Sequence, residues 1–132
     1  MEEKTVMDAL VQMKRTGNLL NELLDLTRQL GESIDRNDQV STQMLIAMRE
    51  EPLGKLQAAD KALREQLEAL DDREEAGQLA AILNGGSAGD DAGRTVKMLC
   101  DQVALNRRRL KQATDLDRVL NQRIAREKSA YQ

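Results

Sequence analysis

VMDALVQMKRTGNLLNELLDLTRQLGESI, the stretch from Val6 to Ile34, decides the fold. Within it Val6, Leu10, Met13, Gly17, Leu20, Leu24, Thr27, Gly31 and Ile34 recur at alternating steps of four and three, every one apolar or small. Side chains three and four apart share one face of an α-helix, so this spacing is a heptad seam. A second line, Leu19, Leu23, Leu26 and Leu30, runs beside the first and widens the stripe. A stripe of that width serves two neighbouring helices, whereas a two-stranded coil needs only the narrow one.

The composition points the same way. The chain has 132 residues, the size of one domain, and 40% of them are hydrophobic, yet it contains no Trp, no Phe and one Tyr, Tyr131. Its core is therefore drawn from Leu, Ile, Val, Met and Ala. Strands favour β-branched and aromatic side chains, whereas this chain is rich in Leu, Ala, Gln, Glu, Arg and Lys, which lose little freedom in a helix. With 33% charged residues and a single Pro, it has the composition of long helices or a coiled coil.

Working outward, the first helix spans about residues 2–35. The seam fails at Asp35-Arg36-Asn37-Asp38, residue types that end one helix and cap the next. A second helix is predicted over 39–70, with Val40, Met44, Leu45, Met48, Leu56, Ala59, Leu63, Leu67 and Leu70 on its inner face and a kink or break near Pro52. A short helix over 73–83 stops at Asn84-Gly85-Gly86. Residues 85–93 hold four of the eight glycines and form a flexible loop. The last helix, 94–130, carries Val96, Leu99, Val103, Asn106, Leu110, Ala113, Asp117, Leu120 and Ile124 at steps of three and four. Asn106 fixes register in that seam, and Asp117 implies that Leu116 and Val119 share the buried face there. The expected fold is all-α, a single domain over 1–132: an elongated antiparallel three-helix bundle or coiled coil with a short extra helix and a Gly-rich loop.

Several kinds of chemistry are not indicated. There is no His, the commonest general base and transition-metal ligand, and no Gly-rich phosphate loop between strand and helix. No catalytic residue, metal site or cofactor is expected, and the acidic clusters Glu50-Glu51, Asp71-Asp72 with Glu74-Glu75, and Asp90-Asp91 suit helix starts and solvated surface. Cys100 lies among Val96, Leu99 and Val103 as a small hydrophobe. The longest apolar run is far short of the roughly 20 residues that cross a bilayer, and Met1-Glu2-Glu3-Lys4 has no signal character, so no membrane span and a cytoplasmic location are expected. Residues 1–93 carry 10 basic and 19 acidic groups, net −9, while 94–132 carry 10 and 4, net +6. That asymmetry draws the last helix to the earlier ones. The run Arg107-Arg108-Arg109 with Lys111 points in several directions and has no interleaved aromatic, so no nucleic-acid binding is expected.

The segment Leu19 to Ile34 (LLNELLDLTRQLGESI), followed by Asp38, resembles the opening of the FlgN family of flagellar export chaperones. The stretch Arg49 to Leu70, with its Leu-x-x-Ala-x-x-x-Leu spacing, is similar to that family's second helix, and Asn106-Arg107-x-x-Leu110 with Leu120-Asn121 to Tyr131 to its third. The resemblance implies a small cytoplasmic chaperone of flagellar type III export. It would hold C-terminal helical segments of hook-associated (hook-filament junction) proteins and hand them to the export machinery. It places client binding on the last helix, at Leu116, Val119, Leu120, Arg123 and Ile124. From the residues alone, an exposed apolar stripe with charged flanks suits helix-in-groove capture, and Met44 and Met48 are adaptable edges. The implied state is a monomer or weak homodimer; the alternative is a structural coiled coil that associates with itself and has no client.

The seam generates a first prediction. Leu20→Ala should destabilise the protein by about 2 to 4 kcal/mol in chemical denaturation, while Arg28→Ala changes stability little. Equal effects would show the seam to be misassigned.

Overall fold

The computed structural model describes residues 1–130, with the side chains of residues 127–130 excepted. Tyr131, the end of the segment likened to the family's third helix, lies outside the described residues. Four helices follow in order: α1 (Glu3–Asp35), α2 (Gln39–Glu68), α3 (Arg73–Leu83) and α4 (Arg94–Ala130). There is no strand among the described residues.

The helix ends follow from their sequences. After α1, Asn37 adopts the left-handed conformation (φ 56°), and the N–H groups of Asn37 and Asp38 bond back to the carbonyls of Ile34 and Ser33. Asp38 then caps α2 by accepting from the Ser41 hydroxyl at 2.6 Å and the Ser41 N–H at 3.0 Å. These bonds favour the ionised form and hold the Asp38 carboxyl below its ordinary value. Arg73 donates to the carbonyls of Leu67, Glu68 and Leu70 at and just beyond the end of α2, and Asp72 accepts from the Glu74 and Glu75 N–H groups in the first turn of α3. Asn84-Gly85-Gly86 closes α3 in the same manner as Asn37, with Gly85 at φ 98°.

α1 is the centre of the assembly and packs broadly on both α2 and α4. Consecutive long helices α1 and α2 run antiparallel, joined at the top where the Ser33 and Thr42 hydroxyls meet at 2.8 Å. α4 runs parallel to α1: Glu3 accepts from Thr95, Met13 from Asn106, Gly31 lies against Leu120, and Asp35 pairs with Arg123. Three apolar clusters lie along the axis. At the lower end Val6, Ala9 and Leu10 meet Leu79 and Ile82 of α3 and Leu99 and Val103 of α4, with Leu67, Leu70 and the half-buried Cys100 packed around them. In the middle Leu23 and Leu24 meet Ala113, and above them Leu26, Leu30 and Ile34 enclose Leu45 and Leu120. Every member of the α1 seam is buried or half-buried.

Two seams differ from expectation. On α2, Val40 (80% exposed), Met44 and Met48 point to solvent, while Leu45, Leu56, Ala59, Leu63, Leu67 and Leu70 lie inward as expected; the buried or half-buried row is Thr42, Leu45, Arg49, Pro52, Leu56, Ala59 and Leu63. That row also steps by three and four, but Thr42 and Arg49 are polar and bond across the bundle, so in the first turns the apolar pattern points instead to Val40, Met44 and Met48, a line rotated away from it. On α4, Leu110 and Val119 are exposed rather than buried. α2 continues unbroken through Pro52, whose ring is fully buried, so Pro52 does not end the helix.

At Gly17 side chains of α4 lie directly against α1. A Cβ there would lie 2.8 Å from both Asn106 Oδ1 and Gln102 Nε2. Asn106 is itself buried and donates to the Met13 carbonyl at 2.8 Å, while accepting from Gln102 at 3.0 Å. Gly54, by contrast, sits in α2 with open space around it. Gly17→Leu should therefore cost about 1 to 3 kcal/mol by overpacking and by displacing Asn106. Gly54→Ala should add about 0.5 to 1 kcal/mol through backbone entropy alone. Thermal melts of the two variants should shift in opposite directions.

Candidate functional site

The five residues implied for client binding are not brought to one surface. Leu120 is 1% exposed and sits in the upper core beneath Gly31, so it is a packing residue in the free protein. Its position follows the heptad count from Ala113, which carries Leu120 inward. Leu116 and Ile124 are half-buried at the margin of the same cluster. Arg123 reaches back to pair with Asp35 of α1. Val119, at 43%, is the one apolar member that stands in solvent.

A second arrangement, absent from the sequence expectations, lies between α2 and α4. The Arg49 guanidinium, on a side chain only 15% exposed, donates to Asp117 Oδ1 at 2.7 Å and joins the two helices. Its Nε is buried without an acceptor. Ile46 and Leu53 occupy the same row of α2 as Arg49, three before it and four after, and both are exposed. On α4, Leu110 lies one heptad before Asp117 and is 52% exposed. Apolar side chains thus flank a polar floor on both helices. The sequence signal was available in part: Arg49 falls in step with Leu45, Pro52 and Leu56, and Asp117 falls in the α4 seam. Nothing in the sequence alone matches one to the other.

Of the remaining polar clusters, Asp72, Glu75 and Arg107 are engaged in bonds within the chain. Glu75 accepts from the Glu2 N–H at 2.9 Å and from the Thr5 hydroxyl at 3.2 Å, beside an open hollow that Asp71 and Asp72 also line. No group of His, Cys, Asp and Glu capable of holding a metal ion occurs among the described residues. The basic run is dispersed. Arg107 donates to the Asn84 carbonyl at the end of α3, Arg108 is exposed, and Arg109 leans toward Gly17. No described helix is long and apolar enough to cross a membrane.

Comparison of the chain with protein-family models, with curated proteins and with solved structures finds no match in any of the three.

The Arg49–Asp117 pair generates a prediction with an asymmetric outcome. Asp117→Ala strands a mostly buried guanidinium and should cost about 1 to 3 kcal/mol. Arg49→Met keeps the apolar bulk and removes the orphaned Nε, so it should be close to neutral or slightly stabilising. Equal losses in denaturant titrations of the two variants would show the pair to be a net stabiliser.

Proposed function

We propose that the chain is a non-catalytic binding protein that captures amphipathic helical segments of another protein. The observation that carries this reading is the amount of apolar surface left outside the bundle in helical rows: Val40, Met44 and Met48, then Ile46 and Leu53 on α2, and Leu110 and Val119 on α4. Large apolar side chains grouped in rows mark interaction surfaces, where isolated ones would not. Helices present such rows to helices, and the methionines adapt to varied partners.

The resemblance to the FlgN family, which rests on the segments quoted for it, makes the reading specific. The partner is then the C-terminal helical segment of a hook-associated protein, held in the cytoplasm and delivered to the flagellar type III export machinery. The implied contact face on α4 reduces to Val119 with the accessible edges of Leu116, Arg123 and Ile124, since Leu120 is enclosed.

A second reading is self-association, favoured by one observation. Val40, Met44 and Met48 follow at steps of four and form a narrow stripe of the kind a second copy covers. Light scattering separates the two. A capturing protein should run as a monomer or weak dimer and form a complex of defined stoichiometry with a synthetic C-terminal segment of a hook-associated protein. An obligate oligomer that ignores the segment would overturn the proposal.

A further inference from the structure

We infer that the captured helix lies in the groove between α2 and α4, in line with α3, and that it carries acidic side chains along the edge facing α4. The inference rests on the helix-capture reading and adds to it a place and a chemistry.

The groove is already used once within the chain. α3 lies against both α2 and α4 at the lower end, its Leu79 and Ile82 in the shared core. It ends at Asn84, where Arg107 of α4 donates to the last carbonyl at 2.9 Å. Gly85 and Gly86 then turn the chain away. The loop that follows brings only Ala88 and Ala92 as apolar side chains, so it has nothing with which to fill the groove above.

Above Asn84 the same strip continues. On α4, Arg107, Leu110, Thr114 and Asp117 step by three, four and three along one face. Arg107 marks the end of α3 and Asp117 the contact with Arg49, so Leu110 stands between two points about 15 Å apart along the helix. Because α2 runs opposite to α4, Leu53, four residues beyond Arg49, falls at the level of this interval and is exposed, and Ile46 lies just beyond Arg49. Arg49 is too deeply set to act as a barrier and forms the floor. The α2 and α4 backbones scarcely approach one another, each being held to α1 instead. An incoming helix therefore meets the geometry that α3 meets lower down.

The charge along the α4 edge sets the chemistry. Among the described residues Arg107 is engaged by the Asn84 carbonyl alone, and Lys111 and Arg118 share the carboxylate of Asp115, at 3.0 and 3.8 Å. The edge is net positive, and acidic side chains on the incoming helix complement it.

The test uses the full chain and two designed helical peptides of about four turns. Both carry Leu along one face; one has Glu along the flanking row and the other Lys. In methyl and amide NMR titrations, the Glu peptide should perturb Ile46, Leu53 and Leu110 first. It should bind at least about tenfold more tightly than the Lys peptide at low salt. The double variant Leu53→Glu with Leu110→Glu, both at exposed positions, should keep its melting temperature and lose at least about tenfold in affinity. If that variant unfolds, the Leu53→Ala, Leu110→Ala pair serves for the same comparison. Perturbations centred on Val40, Met44 and Met48, or on Val119 and Ile124, would overturn the groove and leave helix capture standing. Failure of both peptides to bind would overturn capture as well. A wild-type dimer that the double variant dissociates would assign the groove to a second copy and overturn the inference.

Discussion

The approach of α1 to α4 at Gly17 constrains the rest of the structure. A core without Phe or Trp has to be filled by aliphatic side chains, so the helices must come close for dispersion contacts to accumulate. At the level of Gly17 they come so close that Asn106 reaches the Met13 carbonyl. A buried amide is tolerable only when bonded, and here both its carbonyl and its NH₂ group have partners. Sliding α4 by one heptad would set Asn106 against Leu10 or Leu24, where no such room exists. One glycine and one asparagine therefore specify the register of two helices more than thirty residues long. The lower end can then recruit α3, and the upper end can close over Leu120.

How much of this was legible follows from which signals are local. The α1 seam, the turn at Asp35 to Asp38 and the ends of α3 rest on apolar period, capping chemistry and left-handed residues within a few positions, and each stands in the structure where the sequence put it. On α2, Leu45, Leu56, Ala59, Leu63, Leu67 and Leu70 also lie inward as expected, but Val40, Met44 and Met48 do not, because Thr42 and Arg49 take the inward row there through bonds to Ser33 and Asp117, residues on other helices. A polar residue in a seam can be recognised only once its partner is known. Leu110 and Val119 misled for the opposite reason: an apolar side chain in step with a seam need not be covered, and here no neighbouring helix covers either. The candidate site was least legible because it is a relation between α2 and α4, which meet through side chains rather than along a backbone contact.

The division of charge has a different outcome from mutual attraction alone. Among the described residues, the ion pairs that join α4 to another helix are Arg123 with Asp35 and Asp117 with Arg49, and the second places an acid on α4 and a base on α2. Most of the cations of α4 are therefore not spent on the earlier helices. They remain along its outer rows, where exposed ion pairs contribute little to stability but a field of one sign steers an oppositely charged partner. The net charge of the last helix thus bears more on association than on the bundle.

The parallel course of α1 and α4 sets an order of assembly. Contacts between α1 and α2 near the turn close within a few residues, whereas Asn106 and Met13 are 93 residues apart. During synthesis the hairpin is complete while the chain that covers its second face is still emerging, so the broad stripe of α1 waits half-sheathed. The long closure slows docking of α4 relative to the hairpin. A nascent chain in this interval is the species with the most sticky surface.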